Sequence, residues 1–280
     1  MVIKQVDLHT HTTASDGLQR PADNVRLAKA AGLAGVAITD HDTVDGMAEA
    51  LEEGERQQLV VVPGVELSTV AGRRDIHILG YYMDWQSADW QRKLASVQQV
   101  RERRNDMIVD KLRQLGIAIT MEEVAAKAKL QGKEGGSIGR PHIAAVLIDK
   151  GAAATMQEAF DRYLAAGAAA YAAPPRLDPF QAVKWIREAG GTSVVAHPGL
   201  YGDDELVEEI IASGAQGIEV YHPDHGEADE RRYARLAAKH KLIITAGSDF
   251  HGAREGAVFH GPIGCRTVGA DVLQALKPQK

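Results

Sequence analysis

The sequence predicts an α/β fold of the β/α-barrel type, and two patterns along its 280 residues support this prediction. Seven short apolar runs rich in β-branched residues recur, and amphipathic helical patterns lie between most of them. Near-continuous apolar character is typical of parallel strands that are buried on both faces. Strands that alternate with helices imply a parallel sheet, open or closed into a barrel. The predicted strands are residues 2–9, 34–41, 59–67, 75–81, 192–198, 217–222 and 242–249.

Two of the predicted connecting helices have clear boundaries. Residues 21–31 carry the apolar side chains Val25 and Leu27, and the pattern stops at Gly32. Residues 203–213 space four apolar side chains on one face and stop before Gly214. Glycine readily adopts the left-handed backbone conformation that ends many helices. Both segments are therefore predicted to be helices between strands.

The middle of the chain breaks the alternation of strand and helix. Residues 87–173 contain no convincing strand but several helical stretches. Thr120 with Glu123, and Thr155 with Glu158, match the capping box in which both side chains satisfy free backbone amides at a helix start. We therefore predict a catalytic barrel formed by residues 1–85 and 175–280, interrupted by a helical insertion or cap over residues 86–174.

Composition and charge exclude several classes of protein. Acidic residues outnumber basic ones, 38 against 32, and the formal net charge of −6 argues against a protein that coats nucleic acid or anionic membrane. The single cysteine, Cys265, excludes an internal disulfide framework, and a cytoplasmic location without membrane contact is expected. No obligate protein partner is evident. Because the chain has eleven histidines, imidazole and carboxylate groups must hold any bound metal.

Titratable side chains stand at or beside the ends of the predicted strands. In β/α barrels the carboxyl ends of the strands converge on one face, so these side chains are expected to meet. So many charged groups need a strong counter-charge, and imidazole with carboxylate suits Zn²⁺, Mn²⁺ or Fe²⁺. The side chains concerned are Asp7, His9, His11, Asp40, His41, Glu66, His77, His197, Glu219, His222, Asp249 and His251.

The DLHTH stretch is the strongest local signal. The two-residue repeat of a strand puts His9 and His11 on the same face, and Asp7 shares that face. Asp7 is therefore either a ligand or a group that supports the ligands from behind. A single histidine at a strand end is more often a structural group. A purely structural role does not account for all of the strand-end residues together.

Seven ordered motifs give the chain its resemblance to the PHP family of metal-dependent phosphoesterases. The resemblance covers residues 1–85 and 175–255 and implies a distorted (β/α)7 barrel with a polynuclear metal centre. The motifs are DLHTHTTASDG, ITDHDTV, GVELS, DIHILGY, VVAHPG, IEVYH and GSDFH.

The resemblance also implies two or three divalent ions per chain, with Mn²⁺ first and Zn²⁺, Fe²⁺ or Mg²⁺ as alternatives. Some relatives have histidine at the position of Asp16, which leaves the identity of the metal open. His142 competes with His197 as a ligand, but the His-Pro after a buried strand favours His197. The implied ligands are His9, His11, Glu66 and Asp249 for the first ion, Glu66, His77 and His197 for the second, and Asp16, His41 and His251 for the third.

The phrase GGSIGRPH, residues 135–142, is predicted to begin a helix of the insertion, with Pro141 in its first turn. Free backbone amides there, together with Arg140 and His142, would suit a phosphate. Residues 135–139 also match the nucleophile-elbow pattern around Ser137. That pattern needs a buried strand before the serine, and the polar KLQGKEG precedes it here, so Ser137 is predicted to contact substrate and not to act as a nucleophile.

Within the PHP family, the insertion and the Arg-Pro-His phrase resemble the 3′,5′-nucleoside bisphosphate phosphatase group. This resemblance implies removal of the 3′-phosphate from molecules such as adenosine 3′,5′-bisphosphate, and also 5′-end trimming of short RNA. Attack on phosphorus by a hydroxide that bridges two metals is the expected reaction. Arg140 is expected to neutralise charge on the phosphoryl oxygens. His222 is expected to protonate the leaving oxygen or to orient the phosphate.

Three other functions are compatible with parts of the sequence. Histidinol phosphate, or another small phosphomonoester, would fit the same metal centre. Arg101 and Arg104 would discriminate between such a monoester and a nucleoside bisphosphate, because only a second phosphate needs extra cationic groups. A non-catalytic PHP module of a larger assembly would not need intact ligands. C–N hydrolysis in an amidohydrolase-like barrel usually requires a lysine at a strand end, and none of these strands ends in one.

Overall fold

The computed structural model describes residues 4–72, 74–130, 138–172, 174–254, 257–258 and 260–278. All seven predicted strands are present, and three short strands follow them near the C-terminus. Eight of the ten strands form one sheet in the order β10-β1-β2-β3-β4-β5-β6-β7, while β8 and β9 pair separately. The strands are β1 (Gln5–Asp7), β2 (Gly35–Ile38), β3 (Val60–Ala71), β4 (Arg74–Tyr81), β5 (Thr192–Val195), β6 (Gly217–Tyr221), β7 (Ile243–Ala246), β8 (Ala253–Arg254), β9 (Ala257–Val258) and β10 (Val268–Gly269).

Helices connect most of these strands, as the alternating pattern predicts. A π-helix (Phe160–Leu164) continues from the sixth α-helix, and a 3-10 turn (Pro198–Leu200) follows β5. No helix in the described part of the chain is both long and apolar enough to cross a membrane. The α-helices are α1 (Pro21–Ala30), α2 (Met47–Gln57), α3 (Ala88–Gln114), α4 (Met121–Leu130), α5 (Arg140–Asp149), α6 (Met156–Ala159), α7 (Pro179–Glu188), α8 (Asp204–Ala212), α9 (Glu227–His240) and α10 (Val272–Leu276).

The sheet curls into a nearly closed barrel. Strands β1, β2 and β3 pair in parallel, and so do β5, β6 and β7. On the remaining side, the Leu8 N–H donates to the Ala246 carbonyl at 3.0 Å, and Thr10 forms a parallel bridge with Phe250. These contacts bring the end of β1 against β7, so the strand ends form a ring around one mouth.

The prediction of an all-parallel sheet is wrong for β4, which runs antiparallel to both β3 and β5. The reason is the length of the connection: only residues 72 and 73 separate β3 from β4, and a parallel pair needs a crossover of about a dozen residues. Gly72, with φ +61°, supplies the left-handed turn conformation. The C-terminal β10, antiparallel to β1, was not predicted, because a two-residue strand carries no periodic pattern.

Side chains of the barrel strands fill two apolar regions. Those that point outwards pack under the helices, for example Val36 against α1 and α2. Those that point inwards fill the barrel, where Leu8, Val62 and Val194 surround the buried Tyr81. The Tyr81 hydroxyl donates to the Leu8 carbonyl at 2.7 Å, so the one polar atom of this ring is satisfied. The inner cluster closes the barrel below the mouth.

The segment between β4 and β5 is helical in its described part, and it has an apolar cluster of its own. Helices α3, α4 and α5 contribute Ile108, Val124, Ile143 and Leu147 to this cluster. The capping box predicted at Thr120 is present, since the Thr120 hydroxyl accepts the Glu123 N–H and Glu123 accepts the Thr120 N–H. At Thr155 only half of the predicted box forms: its hydroxyl accepts the Glu158 N–H, but the Glu158 carboxylate accepts the N–H of Ala154 instead. The insertion therefore packs on itself while its first and last residues return to the barrel.

Truncating the centre of this cluster is expected to destabilise the protein strongly. Leu147 is fully buried, so Leu147→Ala should lower the free energy of unfolding by about 2–5 kcal/mol through lost burial and a residual cavity. Leu130→Ala removes the same atoms from a side chain that is 85% exposed and should change it by less than about 0.5 kcal/mol. Urea unfolding of both variants measures the difference, and equal effects would contradict a packed insertion core.

Candidate active site

The side chains predicted to bind metal meet at one mouth of the barrel. His9 and His11 follow β1, His41 follows β2, and His197 follows β5, as expected for strand ends. His77 lies early in β4, yet it reaches the same mouth because β4 runs in the opposite direction. The antiparallel direction of β4 therefore explains why His77 lies near the start of its strand, whereas His41 and His197 follow theirs.

Glu66 lies at the centre of the cluster. Its Oε1 is 2.8 Å from His77 Nδ1 and 3.0 Å from His197 Nε2. Its Oε2 is 3.0 Å from His41 Nδ1 and 3.3 Å from His11 Nε2. Burial favours the neutral acid, but the surrounding histidines outweigh it and hold the pKa of Glu66 well below its usual range. The carboxylate is therefore charged and positioned to bridge two cations.

Asp249 approaches the same histidine pair from the other side. Its Oδ1 is 3.1 Å from His11 Nε2 and 3.3 Å from His9 Nε2, and these two imidazole nitrogens are themselves only 3.1 Å apart. Burial acts to lower the pKa of His11, but hydrogen bonds with Asp249 and Glu66 outweigh it and raise this pKa to about 10. A divalent ion would replace such a proton between the carboxylates and the rings.

Asp16 gathers a further group of ligand-type atoms in the loop after β1. One atom each of His11, Asp16, His41 and His251 lies within 4.8 Å of the others. Burial acts to raise the pKa of Asp16, but His41 and His251 outweigh it and lower this pKa well below its usual value. This group overlaps the set predicted for the third ion, and His11 borders both this set and the first. The assignment of ligands to individual ions remains a prediction.

Several buried atoms of the cluster have no hydrogen-bond partner of acceptable geometry among the described residues. Unpaired buried polar atoms are costly, and divalent cations bound within the cluster would offset this cost. Imidazole nitrogen and carboxylate oxygen form a suitable donor set for Mn²⁺, Zn²⁺ or Fe²⁺. The residues therefore fit the metals that the sequence implies. The atoms are His11 Nδ1, Asp16 Oδ1, His77 Nδ1, His197 Nδ1 and Asp249 Oδ1.

Three carboxylates at strand ends support the cluster from behind. Glu219 Oε1 is 3.1 Å from His9 Nδ1, and its Oε2 accepts the His197 N–H at 2.8 Å. Asp40 accepts the Thr12 N–H and hydroxyl, both at 2.7 Å, and so fixes the loop that leads to Asp16. Such partners orient the ligands and fix their tautomers.

Asp7 belongs to the same supporting group. Its carboxylate accepts the N–H groups of His9, Ser248 and Gly264. Burial, the largest influence, raises the pKa of Asp7 to about 6 despite these hydrogen bonds. Of the two roles that the sequence left open for Asp7, these contacts favour support from behind, because they tie the loops after β1 and β7 together.

His222 and His142 are both engaged in local hydrogen bonds. His222 is fully buried; its Nδ1 accepts the Asp224 N–H at 3.1 Å, and its Nε2 lies 3.3 Å from Asp249 Oδ2. His142 Nδ1 accepts the Gly139 N–H at 3.1 Å and caps α5, which begins at Arg140 with Pro141 in its first turn as expected. Neither histidine is among the described residues that line the central cavity at this mouth of the barrel. Their contact with substrate therefore remains a prediction, and Ser137 lies outside the described residues.

Arginines form the other wall of the mouth. A central cavity of about 260 Å³ is lined by the metal-type ligands on one side and by four arginines on the other. Arg101 and Arg104 come from α3, and Arg140 comes from α5, as expected for phosphate-binding groups of the insertion. The fourth, Arg176, was missed, because it follows two prolines in an irregular segment whose approach to β3 is set only by tertiary packing.

Within the described part of the chain, three of these arginines have acidic partners. Arg101 donates to Asp42 and, at 2.6 Å, to Ser68 Oγ. Arg140 and Arg176 both donate to Asp75, one residue to each carboxylate oxygen, and they keep the pKa of Asp75 well below its usual value even though burial opposes this. Among the described residues, the ion pairs of this wall therefore involve only two carboxylates, Asp42 and Asp75.

Arg104 is the arginine for which the described residues provide no acidic partner. It is 4% exposed, and its only hydrogen bond among the described residues is a long one of 3.3 Å to Asn105 Oδ1. Burial, followed by repulsion from Arg101, Arg140 and Arg176, lowers the pKa of Arg104 well below its usual range. A buried cation without a partner is costly. An anion bound in this cavity would supply a negatively charged partner for Arg104.

The barrel and the imidazole and carboxylate cluster at its mouth define a β/α-barrel hydrolase with a site suited to divalent metals. The PHP domain family model matches residues 7–172, more than half of the chain. The chain belongs to the PHP domain family, and the resemblance inferred from the motifs is confirmed. The match includes the insertion, whereas the motifs VVAHPG, IEVYH and GSDFH lie beyond it.

Named relatives agree with this assignment over nearly the whole chain. The 3′,5′-nucleoside bisphosphate phosphatase of Chromobacterium violaceum is 36% identical, with 90% of this chain and 88% of that protein covered. The 5′-3′ exoribonuclease Rnm of Salmonella typhimurium is also 36% identical, with 88% and 84% covered. A structure described as a metal-dependent phosphoesterase from Bifidobacterium adolescentis superposes with a TM-score of 0.86 at 33% identity, covering 97% and 94%. The chain is therefore a phosphoric ester hydrolase.

Proposed function

We propose that this hydrolase is a metal-dependent phosphomonoesterase that removes the 3′-phosphate from nucleoside 3′,5′-bisphosphates such as adenosine 3′,5′-bisphosphate. The observation that carries the proposal is the buried Arg104, which has no acidic partner among the described residues and lines a cavity shared with the metal-type ligands. A substrate with two phosphates would place one at the metals and the other against the arginines. The named function of the Chromobacterium violaceum relative supports the same substrate class.

The metal centre in this proposal holds two or three divalent ions, with Mn²⁺ first. The nine proposed ligands are those listed in the sequence prediction: His9, His11, Asp16, His41, Glu66, His77, His197, Asp249 and His251. Bound divalent ions lower the pKa of water towards neutrality and stabilise charge on a phosphoryl group.

The residues of the chain position the substrate around that centre. Arg140 and Arg176, fixed by their shared Asp75, direct guanidinium groups into the cavity where phosphoryl oxygens would lie. Arg101, held by Asp42, and the free donors of Arg104 would bind the second phosphate. His222 Nε2 lies 3.3 Å from Asp249 Oδ2, so His222 would orient this proposed metal ligand.

Short RNA with a 5′-phosphate is a second candidate substrate. The named function of the Salmonella typhimurium relative supports it. The chemistry would be shared, because the 5′-phosphate could occupy the arginine site while the next phosphate lies at the metals. Histidinol phosphate has a single phosphate and leaves the unpaired cation unexplained. A non-catalytic module leaves the full set of ligand-type residues unexplained.

A comparison of the hydrolysis of four substrates tests the proposed function. Adenosine 3′,5′-bisphosphate should give the highest kcat/KM, and adenosine 3′-monophosphate should be about 10- to 100-fold poorer, since charged hydrogen bonds contribute about 1.5–3 kcal/mol. Histidinol phosphate and short 5′-phosphorylated RNA complete the panel, and hydrolysis of the RNA is measured as release of mononucleotides because cleavage of its phosphodiester bonds frees no inorganic phosphate. A higher kcat/KM for histidinol phosphate than for the bisphosphate would overturn the proposal.

Metal removal is expected to abolish hydrolysis and to lower thermal stability together. Dialysis against a chelator should remove at least two ions per chain, and Mn²⁺ should restore activity. Ligands that bind only the folded state stabilise it by about 2.7 kcal/mol when present at 100 times their dissociation constant, so the melting temperature should rise with added metal. Elemental analysis and calorimetry measure both effects, and full activity of the metal-free protein would contradict the prediction.

A further inference from the structure

A side cavity of about 180 Å³ with an apolar wall opens beside the metal-type ligands. It shares Asp16, Pro141, Phe160, His251 and His260 with the central cavity, so the two are continuous. It shares no lining residue with the smaller cavity of about 150 Å³ behind the arginines. The apolar part of its wall consists of Leu18, Pro141, Met156 and Phe160.

The two sides of this cavity come from different parts of the fold. Leu18 belongs to the barrel, and its N–H donates to the His251 carbonyl at 2.9 Å, which fixes it beside the cluster. Gly252, at φ +103°, allows this approach, because a Cβ there would lie 2.7 Å from the Leu18 Cβ. Phe160 belongs to the insertion and is the first residue of its π-helix, a feature often found at functional sites.

Phe160 also contacts Arg140, one of the arginines proposed to bind phosphate. The Arg140 guanidinium carbon lies 5.8 Å from the centre of the Phe160 ring, and Arg140 Nη1 donates to the Leu164 carbonyl at 3.3 Å. The same arginine donates to Asp75 at 2.9 Å. The ring is therefore held in a defined relation to the arginine wall, which makes it a rigid surface at the edge of the mouth.

We propose that this cavity binds the nucleobase of the substrate, with Phe160 as the stacking surface and Leu18 and Met156 as the apolar walls; this rests on the proposed function. Its described lining residues include no arginine or lysine to bind a phosphate, and its apolar walls do not suit a sugar. A planar aromatic heterocycle fits both the wall and the ring. The central cavity would then receive the reacting phosphate between the base on one side and the second phosphate on the other.

The test compares a nucleotide with its baseless analogue. Phe160→Ala should raise KM for adenosine 3′,5′-bisphosphate roughly 5- to 150-fold, the range for loss of base stacking, with little change in kcat. The kcat/KM for 1-deoxyribose 3,5-bisphosphate should stay unchanged. Phe160→Tyr should keep the low KM for the nucleotide. Phe180→Ala, the same truncation at an exposed phenylalanine of α7, is the matched control and should change neither substrate.

Leu18→Ala tests the cavity from the barrel side, in case the Phe160 truncation disturbs the insertion. It should raise KM for the nucleotide alone. Equal losses on both substrates in Phe160→Ala and Leu18→Ala would overturn the base site and leave the proposed function intact. The same holds if the unchanged protein hydrolyses the baseless analogue as efficiently as the nucleotide. If it hydrolyses neither bisphosphate, the proposed function itself fails, and the base site fails with it.

Discussion

Replacing Glu66 by glutamine is expected to lower kcat by about 10³-fold and to release bound metal. Glutamine keeps the size of the side chain but removes its negative charge. Glu66 lies within 3.3 Å of His11, His41, His77 and His197, so each metal site that it borders would lose a ligand and a balancing charge. No other carboxylate among the described residues has this many imidazole contacts at so short a range.

Elemental analysis and steady-state kinetics on the same preparation measure this prediction. Glu53→Gln is the matched control, because Glu53 is also buried, at 3% exposed, but it pairs with Arg26 on the outer side of the barrel. It should keep both its metal content and its turnover. A Glu66→Gln protein with full metal and near-normal kcat would show that the carboxylate is not a bridging ligand.

The ring of strand ends could be predicted because it depends on local patterns. His9 and His11 share a face through the two-residue repeat of a strand, and the apolar runs locate each strand end to within a few residues. The barrel then brings these ends together whatever the details of the packing. The same reasoning predicted helices between β4 and β5, since Thr120 and Thr155 each accept the N–H of a glutamate only three residues away.

The arginine wall could be predicted only in part, because its properties arise from tertiary packing. Arg101 and Arg104 are one helical turn apart, so the sequence places them on one face of α3. It does not show that Asp42 pairs with Arg101 and leaves Arg104 alone. Arg176 and Asp75 are 101 residues apart, and the carboxylate that joins Arg176 to Arg140 has no local signal. Likewise, the direction of β4 follows from a two-residue connection and not from its apolar pattern.

Arg104→Met is expected to stabilise the protein and to weaken its binding of the bisphosphate at the same time. Arg104 is a buried cation with no acidic partner among the described residues, and methionine fills similar volume without a charge to desolvate. Replacing buried charged groups by apolar side chains often raises the free energy of unfolding by about 1–4 kcal/mol. Methionine is also a good helix former, so α3 should tolerate the change.

The functional loss should be specific to the second phosphate. Arg104→Met should raise KM for adenosine 3′,5′-bisphosphate about 10- to 100-fold, since a charged hydrogen bond contributes about 1.5–3 kcal/mol, while kcat/KM for adenosine 3′-monophosphate stays nearly unchanged. Urea unfolding and phosphate release measure the two effects. Arg103→Met, the adjacent and exposed arginine of α3, should change neither.

These two effects together separate a binding role from a structural one. If Arg104 only supported the fold, its removal would destabilise the protein and impair both substrates equally. If Arg104 binds phosphate, its charge destabilises the substrate-free protein and is neutralised only when the substrate is bound. Such a loss of stability in exchange for function is common at binding sites. A less stable Arg104→Met variant with an unchanged KM for the bisphosphate would therefore contradict the second phosphate site, and would leave the metal centre as the only support for a phosphomonoesterase.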